Sequence, residues 1–218
     1  MEEKKKGGKR AAPNRRGWLL AVLVLAGLGI WGILEWRAHT APGPGISVNE
    51  EALTRREPFY QYDAPGVTAY AGVDVSSYQG VVDWPAVKAA GADFAMLRVG
   101  FRGYGTGRLV LDSSFRKNIE GARAAGLQVG VYFFSQAVNE KEAIEEASMC
   151  VQYVQGYQVD MPIFIDLEDV WDPDDGSGGR ANNLSVSQRT SVARAFCDTV
   201  RSAGYKAGIY ASYYYLLD

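Results

Sequence analysis

The chain has 218 residues, enough for one sizeable core and an appendage, and its 47% hydrophobic and 22% charged content excludes wholesale disorder. The net charge of −2 is unevenly spread, because Lys4, Lys5, Lys6, Lys9, Arg10, Arg15 and Arg16 face only Glu2 and Glu3 at the N-terminus. The remainder therefore carries about −7, and an acidic body argues against nucleic acid, whose phosphates need a basic face.

In chain order, a basic tail at 1–16 is followed by Gly17 to Leu34, which contains no charge. As a helix rising about 1.5 Å per residue, that run is roughly 27 Å long, near the ~30 Å of a bilayer core. Trp18, Trp31 and Trp36 stand near its ends, as interfacial aromatics do. The expectation is one transmembrane signal-anchor helix at 17–36, with the tail in the cytoplasm and the rest of the chain outside the cell membrane. A cleaved signal peptide and a secreted product is the competing expectation; Ala38-His39-Thr40 is the nearest approach to a cleavage site. Residues 37–70, with Pro42, Pro44, Pro58 and Pro65 and no clear period, read as an extracytoplasmic spacer.

From Gly72 the pattern changes. Strands are expected at 72–77, 93–99, 128–134, 162–167 and 206–211, with four helices between them. The first helix starts near Asp83 with Pro85 in its first turn, and the second near Asp112. Asn139 before Glu142, and Ser185 before Gln188, resemble capping boxes for the third and fourth. Three helices end in Ala-Gly, at Gly91, Gly126 and Gly204, where glycine supplies the left-handed turn back to the sheet. A repeated β-α unit means parallel strands with crossover helices, and both a barrel and an open doubly wound sheet fit it. Cys150 and Cys197, the only cysteines, fall in predicted helices and are expected as buried free thiols, although export permits a disulfide.

The chemistry follows by elimination. The single histidine, His39, lies in the spacer, which removes Ser-His-Asp and Cys-His catalysis and any histidine-based zinc site. Gly103, Gly105 and Gly107 do not match a nucleotide-binding spacing and are expected as a flexible β-α loop. Asp172, Asp174, Asp175 and Gly176 resemble a calcium loop, but the glycine is one position early and Asn183 replaces the closing glutamate, so a solvated turn is expected. No metal or cofactor is expected. Carboxylates remain. Asp166 and Glu168 end an apolar strand two residues apart, so both face one side with Cα atoms about 6.5–7 Å apart. Asp74 sits similarly in the first strand, just before the polar stretch 76–79. Such acids repel one another, and the least solvated keeps its proton. Helix capping or binding of loop backbone is the alternative use of these carboxylates.

The stretch 72–84 (GVDVSSYQGVVDW) resembles the opening of the glycoside hydrolase family 25 lysozymes, the Chalaropsis-type 1,4-β-N-acetylmuramidases. The resemblance continues through 94–101, 112–136, 162–168 and 204–212, and so covers nearly everything after residue 71. It implies a catalytic domain at 71–218 with an α/β fold, a modified TIM-like (β/α) barrel. It also implies hydrolysis of the β-1,4 bond between N-acetylmuramic acid and N-acetylglucosamine in peptidoglycan. By motif match Glu168 is the general acid. Asp166 supports the transition state, directly or by orienting the 2-acetamido group, and Asp74 completes the acidic cluster. Tyr132 and Tyr210 resemble sugar-contacting aromatics, with barrel packing as the alternative. The family continues through three further strands, a tryptophan-rich segment and a late aspartate, whereas this sequence stops at Asp218. The expectation is a barrel incomplete at the C-terminus, and a chain poorly stable or inactive alone. Expected partners are peptidoglycan glycan strands and, through the N-terminal helix, the membrane; a monomer is expected. Two rivals remain: a family 18 chitinase-like hydrolase, opposed by Phe164 where that family has a further Asp, and a catalytically inactive, membrane-tethered wall-binding module.

Overall fold

A computed structural model describes residues 49–171, 176–212 and 215. The basic tail and the expected membrane helix at 17–36 lie outside the described residues, as do 172–175 of the calcium-like turn. Within the stretch read as spacer, a 3-10 turn at Glu50–Ala52 leads into an antiparallel hairpin of β1 (Leu53–Arg56) and β2 (Phe59–Tyr62). All four residues of β1 are exposed, which explains why no period marked it.

The main sheet contains the five strands expected from the sequence. In spatial order they are β3 (Gly72–Val75), β4 (Phe94–Arg102), β6 (Gln128–Phe134), β7 (Ile163–Leu167) and β8 (Ala207–Ala211), all parallel. β5 (Leu109–Leu111) is antiparallel to the end of β4 and was not foreseen; three residues are too few to show a period. The glycine-rich loop is therefore a β-β turn, not the β-α loop expected. The Gly103 N–H donates to the Arg108 carbonyl, and the Gly107 N–H to the Gly103 carbonyl.

The helices are α1 (Trp84–Ala89), α2 (Phe115–Ala124), α3 (Glu140–Val154) and α4 (Val186–Ser202). Asp83 caps α1 by accepting from the Ala86 N–H, and Ser185 with Gln188 forms a reciprocal capping box on α4. On α3 the box is one-sided. Asn139 accepts from the Glu142 N–H, but the Glu142 carboxylate reaches back to the Val138 N–H instead. α2 starts three residues after Asp112, whose carboxylate is committed to Arg98. The three Ala-Gly exits take positive φ, +101° at Gly91, +76° at Gly126 and +88° at Gly204.

The strand order excludes one of the two topologies left open by the sequence, the doubly wound sheet, and the expected barrel is not closed among the described residues. Each crossover steps in the same direction, so right-handed connections place every crossover helix on one face. A doubly wound sheet would reverse direction and clothe both faces. Among the described residues β3 pairs only with β4 and β8 only with β7, so the sheet is singly wound and open. Its helix-covered face carries Ala95, Leu97, Val99, Val129, Val131, Phe133, Ile163 and Ile165, all fully buried. They pack with Phe115 and Ile119 of α2, Ala147 and Cys150 of α3, and Val192 and Phe196 of α4. Each buried phenylalanine contributes about 1.5–3 kcal/mol relative to exposure. Cys150 and Cys197 are free and buried within this core.

Candidate active site

Alternation along the strands sends the remaining residues to the face that carries no crossover helix among the described residues. Near the N-terminal ends of the strands, large side chains lie across glycines on the neighbouring strand: Phe94 over Gly72, Met96 over Gly130 and Phe164 over Gly208. A Cβ at any of the three glycines would stand 2.4 Å from the residue covering it, so the Phe94 or Phe164 ring, or the more flexible Met96 side chain, would have to move. With Met161 these side chains floor a cleft of about 370 Å³, whose walls include Asp74, Tyr132, Asp166 and Tyr210.

All five site residues expected from the sequence meet at this face. Asp166 is the penultimate residue of β7, paired in register with Phe134 on one side and Tyr210 on the other. It is buried, at 7% exposure, and its Oδ1 has no hydrogen-bond partner. Glu168 lies one residue beyond the strand, partly exposed, and its charge is the main cause that raises the Tyr210 hydroxyl. Asp74 and the Tyr132 hydroxyl lie close enough to influence each other's titration.

Burial is the main cause of the cluster's electrostatics. It pushes the Asp166 carboxyl up to about 8, and the charges of Glu168 and Asp74 add to the effect. The Asp74 carboxyl is raised as well, although the residue remains accessible, because burial outweighs the nearby Tyr132 hydroxyl and the Arg98 charge. The Tyr132 hydroxyl is held well above its ordinary value by burial and by Asp74, so it acts as a neutral donor. At neutral pH the free site thus retains a proton, and burial places it on Asp166.

Arg98 was missed by the sequence reading. Its buried guanidinium pairs with Asp112 at 2.8 Å, donates to the Ser77 hydroxyl at 3.2 Å, and stacks 5.0 Å from Tyr78 and 5.2 Å from Phe101. Asp112 also accepts the N–H groups of Ser77 and Ser114, and these contacts together hold it below the usual carboxylate range against burial. A lone cation inside the apolar run 94–101 was the available signal. Ser135, Gln136 and Asn182, which hold the main chain around Glu168, carried no such signal; only the fold brings them to β7.

Comparison with known proteins gives the family. The chain is 27% identical over 139 residues to an autolytic lysozyme of Clostridium acetobutylicum, covering 64% of this chain and 37% of that protein. It is 28% identical over 195 residues to lysozyme M1 of Streptomyces globisporus, covering 80% of this chain and 63% of that one. The chain thus spans less than two thirds of the length of either relative. Among solved structures, the bacterial lysozyme from Streptomyces coelicolor superimposes with a TM-score of 0.51 at 26% identity, over 66% of this chain and 64% of that one. The model of glycosyl hydrolases family 25 matches residues 73–218, from β3 through the end of the chain, and the chain belongs to that family.

Proposed function

We propose that this protein is a lysozyme-type glycosidase that hydrolyses the β-1,4 bond between N-acetylmuramic acid and N-acetylglucosamine in bacterial peptidoglycan. The observation that carries the reading is the convergence of Asp74, Asp166 and Glu168 on the open face, at the C-terminal ends of parallel strands. Family membership and relatives that are themselves lysozymes support it. Glu168 donates a proton to the glycosidic oxygen as the C1–O bond breaks, and water supplies the hydroxyl to C1. Asp166 and Asp74 stabilise the positive charge that develops on the sugar, or orient its 2-acetamido group. In the free site the proton rests on Asp166. A sugar covering the more open Glu168 would bring both carboxyls into one water-poor setting, where a coupled pair shares its proton. Tyr132 and Tyr210 line the cleft as sugar contacts. The chemistry uses acid-base groups of the protein and calls on no cofactor.

The remaining parts of the proposal concern placement. The domain at 71–218 works outside the cell on glycan strands, as a monomer, held to the membrane by a helix at 17–36 behind the cytoplasmic tail. Cleavage of that segment would release it instead. The singly wound sheet is the larger part of a modified (β/α) barrel whose lumen is the cleft.

The test is muropeptide analysis of purified peptidoglycan incubated with the protein and with Glu168→Gln. New reducing-end N-acetylmuramic acid from the former only, with both proteins pelleting on walls, is the expected result. Pelleting without products from the unaltered protein would establish the wall-binding module instead.

A further inference from the structure

We propose that Gln136 is a positioning residue for the acid: its side-chain amide supplies the ladder rung that fixes the main chain at Glu168. This inference rests on the reading of Glu168 as the group that donates the proton.

The β6–β7 register runs from Val131↔Ile163 to Phe134↔Asp166, and one more ladder bond follows, from the Ser135 N–H to the Asp166 carbonyl at 2.9 Å. A regular parallel ladder would next send the Ala137 N–H to the Glu168 carbonyl. That N–H turns instead to the Ser135 hydroxyl, at 3.3 Å. The vacated acceptor is taken by Gln136, whose Nε2 donates to the Glu168 carbonyl at 3.3 Å. Gln136 is fully buried, so the bond is shielded from water.

The same side chain faces a second target of opposite polarity. Its Oε1 accepts from the Ala181 N–H at 3.3 Å, tying the loop after Glu168 to the end of β6. Arg180 donates to the Gln136 carbonyl at 3.4 Å and is itself gripped by Glu142 at 2.7 and 2.9 Å. Asn182 holds Val170 from both sides, accepting from its N–H at 3.0 Å and donating to its carbonyl at 2.8 Å. Asp166, Glu168 and Val170, the alternate residues of the strand exit, are thus each held by a separate partner. Only a primary amide meets both demands at position 136: a carboxylate lacks the donor, and a thioether offers neither bond of comparable strength.

Gln136 has no place in the cleft lining, so its loss should act on turnover and not on sugar binding. Gln136→Met, similar in size but without the amide, should lower kcat about 10- to 100-fold with KM within about twofold, as misplacement of a reacting group does. It should also accelerate hydrogen exchange at the Ala181 amide. Gln136→Glu should keep the Ala181 bond, and so its slow exchange, while losing turnover once the pH is high enough to ionise its carboxyl. Lowering the pH protonates the new carboxyl and restores a donor, so this variant should recover relative to the unaltered protein toward acid pH. Gln136→Glu carries the test alone if Gln136→Met fails to fold. Turnover within twofold of the unaltered protein in folded Gln136→Met at neutral pH, or in folded Gln136→Glu at every pH, would overturn the inference while leaving the muramidase reading intact. Absence of turnover in the unaltered protein would overturn both.

Discussion

Replacing Asp166 by Asn should make the protein more stable above neutral pH while abolishing its proposed activity. In the folded chain the Asp166 carboxyl titrates at about 8, against 3.8 for a solvated aspartate. Between those values the folded state keeps a proton that the unfolded state has released, so raising the pH favours unfolding. At about 1.4 kcal/mol per unit the shift is equivalent to ~5–6 kcal/mol. Asn removes the ionisation without changing the side chain's size. The stability difference between Asp166→Asn and the unaltered protein should therefore grow from pH 4 to pH 8 by ~5 kcal/mol, then level off. Urea unfolding of both proteins at pH 4, 6, 8 and 9 measures it. The difference between proteins is the informative quantity, because Glu146, pushed up to about 7 by burial, gives both the same additional slope. A difference that does not vary with pH, or one that favours aspartate at pH 8, would refute the account of the cluster.

The same proton should shape the rate. kcat/KM, which reports the free protein, should fall about tenfold per pH unit above pH 8, and an unchanged rate up to pH 10 would remove Asp166 from the acid-base chemistry. Arg98→Met should destabilise the fold by ~3 kcal/mol in urea unfolding at neutral pH, because it leaves the fully buried Asp112 carboxylate without its cation; a loss under ~1 kcal/mol would mean that the two backbone N–H bonds alone suffice.

Where one face of an element meets the core, the sequence was readable. The strand 128–134 and the caps at Asp83 and Ser185 came out at the residues expected, since burial pattern and capping chemistry are local. The hairpin at 53–62 and the short β5 were missed because both expose most of their side chains. The carboxylates were legible for a related reason: an apolar strand that ends in Asp-Leu-Glu is a departure from its own pattern. Gln136, Asn182 and Arg180 sit in segments where polar residues are ordinary. What makes them notable is a set of contacts spanning up to 45 positions of sequence, from Gln136 to Ala181, which no local pattern encodes.

The balance of charge behind the cluster explains why a proton survives there. Arg98 is close enough to lower both Asp74 and Asp166. A guanidinium free to face the three carboxylates would draw them into their ionised forms and leave no acid at neutral pH. Asp112 prevents this. It takes the cation at 2.8 Å, anchored by the backbone of the Ser77 turn and by the Ser114 N–H ahead of α2, so most of that charge is neutralised before the cleft feels it. The β4–β6 register shifts just after the arginine, between Arg98 and Gly100. Arg98 and Asp112 thus set how acidic the carboxylate face can be without touching it, and the same pair ties β4 to the loop after Asp74.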